Sequence, residues 1–192
     1  MALDPSGSFE EGKGTTGWCW YDTKKKQIIK TGWISATDYD CKEQYWLMHL
    51  NLIEEFRDWT IAKSKSFILV IEDYVLYETK KDAQVNSKME TCKLIGILQI
   101  NSWLMGIEYF MELAAAVKNR WTDSILVYKQ HLIRKGNQYY VAATGELVNR
   151  HAKDAIRHAV HFSTFKNGKG DDNATQKENR SSSGRCRTLS TK

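Results

Sequence analysis

Residues 67–72 read Phe67-Ile68-Leu69-Val70-Ile71-Glu72. An unbroken apolar run of this length, rich in β-branched residues, makes a strand that buries both of its faces. Such a strand belongs at the centre of a sheet covered by helices on either side. The run then ends on an acid. In an open α/β sheet, ligands gather beyond the carboxyl ends of the parallel strands. Glu72 therefore stands where a working carboxylate would stand.

Upstream of this strand the pattern changes period. In 40–64, Trp46, Leu50, Ile53 and Phe56 recur at spacings of four, three and three, which predicts a helix with one apolar stripe. Before it, Gly17–Asp22 and Gln27–Ile34 flank Lys24-Lys25-Lys26, a β-hairpin with a basic turn. The chain opens with the apolar triplet Met1-Ala2-Leu3, then Asp4, Pro5 and a glycine-rich loop.

Downstream, a polar loop at 73–85 precedes a helix expected at about 86–105. A strand at Ile107–Met111 and a short helix at 113–120 follow. Ile125–Ile133 and Gln138–Ala142 flank Arg134-Lys135-Gly136-Asn137, a hairpin signature with glycine in the turn. A last helix is expected from about Glu146 to Phe165. The order predicts an α/β fold, with an antiparallel β-meander, then parallel strands, and helices on both faces of the sheet. No internal repeat is present.

With 192 residues, 42% of them hydrophobic, the chain is sized for one domain with a sizeable core. The only proline is Pro5, which excludes collagen-like and proline-rich classes. No stretch approaches the roughly 18 apolar residues of a membrane helix. The first residues lack the basic and apolar regions of a signal peptide. Cys19, Cys41, Cys92 and Cys186 form no C-x-x-C pair, so zinc-knuckle and thioredoxin chemistry are unsupported. The expectation is a cytoplasmic protein with free thiols.

The net charge is +5. In 166–192, seven basic residues face three acids, and Leu189 is the only large aliphatic residue. Such a segment cannot offset its ordering entropy and is expected to be a disordered basic tail. The body, 1–165, is left near +1. Most of the aromatic residues, Trp46 and Phe56 among them, fall on predicted core faces.

Three acids stand out by location: Asp4 after the first triplet, Glu72 after the buried run, and Asp154 on the last helix. His151 and Asp154 share a helix face at i and i+3, and His158 lies one turn further along. Carboxylates with one imidazole suit Mg²⁺ or Mn²⁺. Two such ions about 4 Å apart can activate water and stabilise a leaving oxygen in phosphodiester hydrolysis.

In this order, the pieces resemble the RuvC-type Holliday junction resolvases of the RNase H-like superfamily, including divergent phage forms. Leu3-Asp4-Pro5-Ser6-Gly7 and Thr15-Thr16-Gly17-Trp18 fit that family's opening. Val70-Ile71-Glu72 fits its fourth strand, Asn86 and Lys93-Leu94-Ile95-Gly96 loosely fit the next helix, and Ala116-Val117-Lys118 fits a Val-Lys step. His151-Ala152-Lys153-Asp154-Ala155 fits the closing helix.

The resemblance spans 1–165 and implies a homodimeric endonuclease of branched DNA, in a bacterial or phage-infected cell. Asp4, Glu72, His151 and Asp154 would then be the catalytic, metal-binding set for two Mg²⁺ (or Mn²⁺) ions. Lys118 would lie near the scissile phosphate, and Tyr74 and Tyr77 would contact DNA by stacking on bases. The products would carry 5′-phosphate and 3′-hydroxyl ends. Related nucleases of this fold act on RNA or RNA–DNA hybrids, and an idle junction binder would share the same surface.

Three features depart from the family. The first strand is short, the loop Ser8–Gly14 is long, and the hairpin expected at 125–142 stands where the bacterial enzymes are mostly helical. Gly14-Thr15-Thr16-Gly17 also resembles the phosphate loop of the actin and sugar-kinase superfamily. That architecture needs a second domain and a second phosphate motif, for which this sequence has no copy.

Overall fold

The structure is a computed structural model and describes residues 1–10, 12–75 and 89–165. Strands β1 (Ala2–Asp4), β2 (Thr15–Asp22) and β3 (Gln27–Ser35) open the chain, followed by helix α1 (Lys42–Ala62). Then come β4 (Ile68–Asp73), α2 (Glu90–Leu104), β5 (Glu108–Leu113), α3 (Ala114–Lys118) and α4 (Asp123–Tyr128). Strands β6 (Leu132–Lys135), β7 (Gln138–Val141) and β8 (Leu147–Val148) precede α5 (Arg150–Phe165).

Among the described residues, the first five strands form one sheet in the order β3-β2-β1-β4-β5. β1 runs antiparallel to β2 and parallel to β4, and β4 is parallel to β5. The expected mixed sheet is present. The run at 67–71 does lie inside the sheet, with β4 paired on both sides.

Alternation along these strands divides the core in two. Ala2, Cys19 and Val70 face a cluster formed with Ala152, Ala155, Ile156 and Ala159 of α5. Leu3, Trp18, Trp20, Leu69 and Ile71 face a second cluster under α1 and α2. Leu3 is fully buried, so Leu3→Ala would cost about 2–5 kcal/mol. The alanines of α5 let that helix lie close against β1 and β2. The buried stripe of α1 runs through Tyr45, His49, Leu52, Ile53, Phe56 and Thr60, while Trp46 and Leu50 sit half-buried at its border. α2 buries Leu94, Ile95 and Leu98 and leaves Ile100, Trp103 and Leu104 exposed.

Two sequence expectations are corrected. Residues 125–128 are helical, although Ile125-Leu126-Val127 reads as strand. Thr122 accepts a hydrogen bond from the Ile125 amide at 3.4 Å, an N-cap that turns the segment into α4 and buries Leu126. Leu147 and Val148 form β8, paired with β7, so the last helix starts at Arg150. Its start is fixed by Asn149, whose side-chain oxygen accepts from the Ala152 amide at 2.7 Å. The tail 166–192, Tyr77 and Asn86 lie outside the described residues.

Among the described residues, no helix is long and apolar enough to cross a membrane. Cys19, Cys41 and Cys92 are free thiols.

Candidate active site

Asp4 closes β1, and Glu72 lies near the end of the parallel neighbour β4. Both reach the same edge of the sheet. Asp154 and His151, in the first half of α5, come to that edge from one face. His151 Nδ1 lies 2.9 Å from Asp4 Oδ2. Lys118, the last residue of α3, lies 3.2 Å from Glu72 Oε1 and 3.0 Å from Asp154 Oδ2. The four residues singled out in the sequence, and Lys118 with them, therefore meet in one cluster.

The approach of α5 depends on Gly17. Gly17 pairs with Asp4 across the β1–β2 ladder. A Cβ there would lie 2.0 Å from both the carbonyl carbon and the oxygen of His151. Any side chain at this position would hold His151 away from Asp4. The Thr-Gly step of the sequence thus has a steric reason.

A buried hydrogen-bond network holds the loop after Asp4. The Thr16 hydroxyl accepts from the Ser6 amide at 3.0 Å, and the Tyr45 hydroxyl donates to the Ser6 carbonyl at 2.5 Å. His49 Nδ1 lies 2.8 Å from the Tyr45 carbonyl, and its Nε2 lies 2.7 Å from the Thr16 hydroxyl. Burial pushes the His49 pKa down to about 4, so the ring is neutral. Nδ1–H donates to the carbonyl and Nε2 accepts from Thr16. Further along, the Phe9 amide donates to the buried Glu90 carboxylate at 2.9 Å.

One participant, Glu112, was missed in the sequence, and another, His158, was seen without its partners. Glu112 of β5 sits opposite Glu72 in the parallel register, and it is buried. His158 lies between them, with Nε2 2.8 Å from Glu72 and Nδ1 3.0 Å from Glu112. His158 was visible one turn beyond Asp154, but its partners follow only from strand register. Asp154 is further held by Arg157, which also bonds Asp123. Lys153 bonds the same Asp123 at 2.6 Å.

Charge in the cluster is mutually adjusted. Burial, together with the nearby Glu72 and Asp154, pushes the Asp4 pKa up, against the hydrogen bond from His151 and the charge of Lys118. Burial also opposes ionisation of Glu72, but His158 and Lys118 outweigh it and hold Glu72 below its ordinary value. Burial works against the charge of Lys118, and Glu72, Asp154 and Asp4 more than restore it, so the ammonium is favoured. His158 is likewise raised, because Glu112 and Glu72 overcome its desolvation.

Among the described residues, no group of three or more His, Cys, Asp or Glu side chains has the spacing of an assembled metal site. The donor types nonetheless suit a hard divalent ion: Asp4 beside His151, and Glu72 and Asp154 on either side of Lys118. Lys118 already places a positive charge between Glu72 and Asp154. Tyr74 follows β4 and packs, half-buried, against the core under α1 and α2.

No family model and no curated protein matches the sequence. Among solved structures, the chain is similar to T. thermophilus RuvC in complex with Holliday junction substrate, at a TM-score of 0.57. The alignment covers 86% of this chain and 93% of that chain, at 11% identity. The fold is RNase H-like. Identity this low carries the architecture and leaves the chemistry to be argued from the side chains.

Proposed function

We propose that this protein is a divalent-metal-dependent endonuclease that cuts branched DNA, with four-way junctions as its substrate. The observation that carries the proposal is the meeting of Asp4, Glu72, His151 and Asp154 at the carboxyl edge of β1 and β4. The likeness of the fold to that of a protein bound to a Holliday junction supports the substrate class.

In this reading, Asp4, Glu72, His151 and Asp154 hold Mg²⁺ or Mn²⁺. The bound ions would supply an activated water and charge stabilisation for the leaving oxygen of a phosphodiester. The chain's own residues do the rest. His158 and Glu112 fix the carboxylate of Glu72, and Arg157 fixes that of Asp154. Lys118 keeps its proton and offers a mobile positive charge to a phosphate. The buried Thr16–His49–Tyr45 network fixes the loop that follows Asp4.

A homodimer supplies two equivalent sites for the two symmetric strands of a junction. The exposed Ile100, Trp103 and Leu104 on α2 favour such self-association.

The test is cleavage of a synthetic four-way junction with Mg²⁺, beside an RNA–DNA hybrid and a linear duplex. Asp4→Asn and Asp154→Asn should each abolish junction cutting while leaving DNA binding in place. Unchanged cutting by either variant would sink the assignment. Preferred cutting of the hybrid would move the protein to an RNA-processing role. Tight junction binding without metal-dependent products would make it a non-catalytic binder.

A further inference from the structure

The folded body is nearly neutral, so a grip on DNA has to come from the arrangement of its charges. The strands β6, β7 and β8 form a second, antiparallel sheet in that order. Residues 128–150, which contain it, hold Lys129, Arg134, Lys135 and Arg150 against a single acid, Glu146. That local excess is larger than the net +1 of the whole body.

The two faces of this small sheet differ. Leu132, Tyr139, Val141 and Val148 point inward and join the core beside α5. The opposite face carries Ile133, Tyr140 and Leu147, which stand side by side in the register. Ile133 and Leu147 are 42% and 44% exposed. Lys135 lies next in this row, its ammonium 5.2 Å from the centre of the Tyr140 ring. Only Leu132 and Val141 anchor the β6–β7 hairpin by burial, and Ile133 to Gln138 stand in solvent. Tyr128, 80% exposed, and Lys129 sit at the entry to the sheet.

The sheet is fastened to the candidate site. The Lys153 ammonium lies 4.1 Å from the Tyr139 ring centre and bonds Asp123, which also holds Arg157. Lys153 is the neighbour of Asp154. β8 ends at Val148, three residues before His151.

We infer that the outer face of this small sheet is a duplex-binding surface, which takes the DNA arm beside the candidate active site. This rests on the nuclease reading for its placement, but not for its chemistry. The protruding β6–β7 hairpin is a two-stranded ribbon, its strands about 4.8 Å apart. A two-stranded β-ribbon fits the major groove, about 12 Å across. Lys135 of this row meets a phosphate, joined from the rim by Lys129 at the entry to the sheet and by Arg134. Arg134 pairs with the inward-facing Tyr139 but is exposed at the hairpin tip. The Ile133–Tyr140–Leu147 row rests on sugars and base edges.

The other lysine-rich place, Lys24, Lys25, Lys26 and Lys65, lies around a cleft that includes Met1 and Ile68, at the opposite end of β1 and β4. There Asp22 already binds Lys65 at 2.6 Å and caps the turn through the Lys24 and Lys25 amides.

The experiment measures binding of the full chain to a fluorescent four-way junction and to a linear duplex, without metal, across a salt series. The probe variants are the triple Lys129→Ala/Arg134→Ala/Lys135→Ala and, for comparison, Lys24→Ala/Lys25→Ala/Lys26→Ala. Loss of three phosphate contacts lowers the slope of log K against log salt by about 2.7. The first triple variant should show that fall for both DNAs, and the second should keep the wild-type slope.

A folded first triple variant with an unchanged slope overturns the inference, as does a fall confined to the second. Ile133→Ser/Leu147→Ser should weaken DNA binding and leave the sedimentation of the free protein unaltered. A change in its oligomeric state would instead make the apolar row a protein interface and overturn the assignment. Binding through the small sheet without any cutting would defeat the nuclease reading alone. Junction cutting with an unaltered slope in the first triple variant would defeat this inference alone.

Discussion

Gly17→Ala is the sharpest single test of how the site is built. The added methyl would sit 2.0 Å from the His151 carbonyl carbon and oxygen and 2.4 Å from the Ala152 amide nitrogen, all backbone atoms. No rotamer relieves this. Real contacts stay beyond 3.0 Å, so β2 and the first turn of α5 must separate by about 1 Å. That motion carries His151 away from Asp4, 2.9 Å distant in the wild type, and Asp154 away from Lys118. Overpacking of this kind costs about 1–3 kcal/mol of stability. A displacement near 1 Å at reacting groups can cost about 10²-fold in rate.

The assay pairs a urea melt with junction cleavage at saturating Mg²⁺. A loss of stability in that range, with cleavage down about a hundredfold and junction binding retained, is the expected outcome. A variant as stable and as active as wild type would show that α5 does not lean on Gly17. The melt tests the packing even if the protein cuts nothing.

His158→Gln leaves Glu72 and Glu112 facing each other without the shared cation, and a broken buried pair costs about 3–5 kcal/mol. The His158 pKa is raised from 6.5 by Glu112 and Glu72 against its burial, so its contribution is complete below 6.5 and fades as pH rises through the raised value. Glu72 is lowered from 4.5, so its share is present above 4.5 and lost as pH falls further. The gap in Tm between wild type and variant should be widest between these two values, and a gap independent of pH would count against the bridge. Thr16→Val should cost about 1–3 kcal/mol in a denaturant melt, by stranding the Ser6 amide and His49 Nε2, with Thr16→Ser recovering most of it. Lys118→Met should lower the metal-free Tm and enlarge the Tm rise on adding Mg²⁺, since it removes the cation between Glu72 and Asp154. An equal Mg²⁺ response in both proteins would argue against these carboxylates as ligands.

The parts legible in the sequence were those whose signal is local. Phe67–Ile71 suits an inner strand, and the acids that follow it and the first triplet, Glu72 and Asp4, fell near strand ends. His151 and Asp154 declared themselves by helical spacing. What stayed hidden depends on register or on a single capping bond. Glu112 matters because β5 pairs with β4 residue for residue, placing it against Glu72. The strand-like Ile125-Leu126-Val127 becomes helix because Thr122 caps it, and Leu147-Val148 becomes strand because β7 offers it an edge. His49 looked like one more residue of an amphipathic helix. Its role rests on Thr16, 33 positions away and brought beside it by the fold.

The junction between β8 and α5 has a mechanical side. Only Asn149 separates the small sheet from the helix that carries His151 and Asp154, and its side chain is locked to the Ala152 amide. No slack loop lies between them. Lys153, against Tyr139 and bonded to Asp123, braces the same corner. The direct connection ties the position of His151 beside Asp4 to the seating of β8, so the small sheet is part of the scaffold that sets that 2.9 Å spacing.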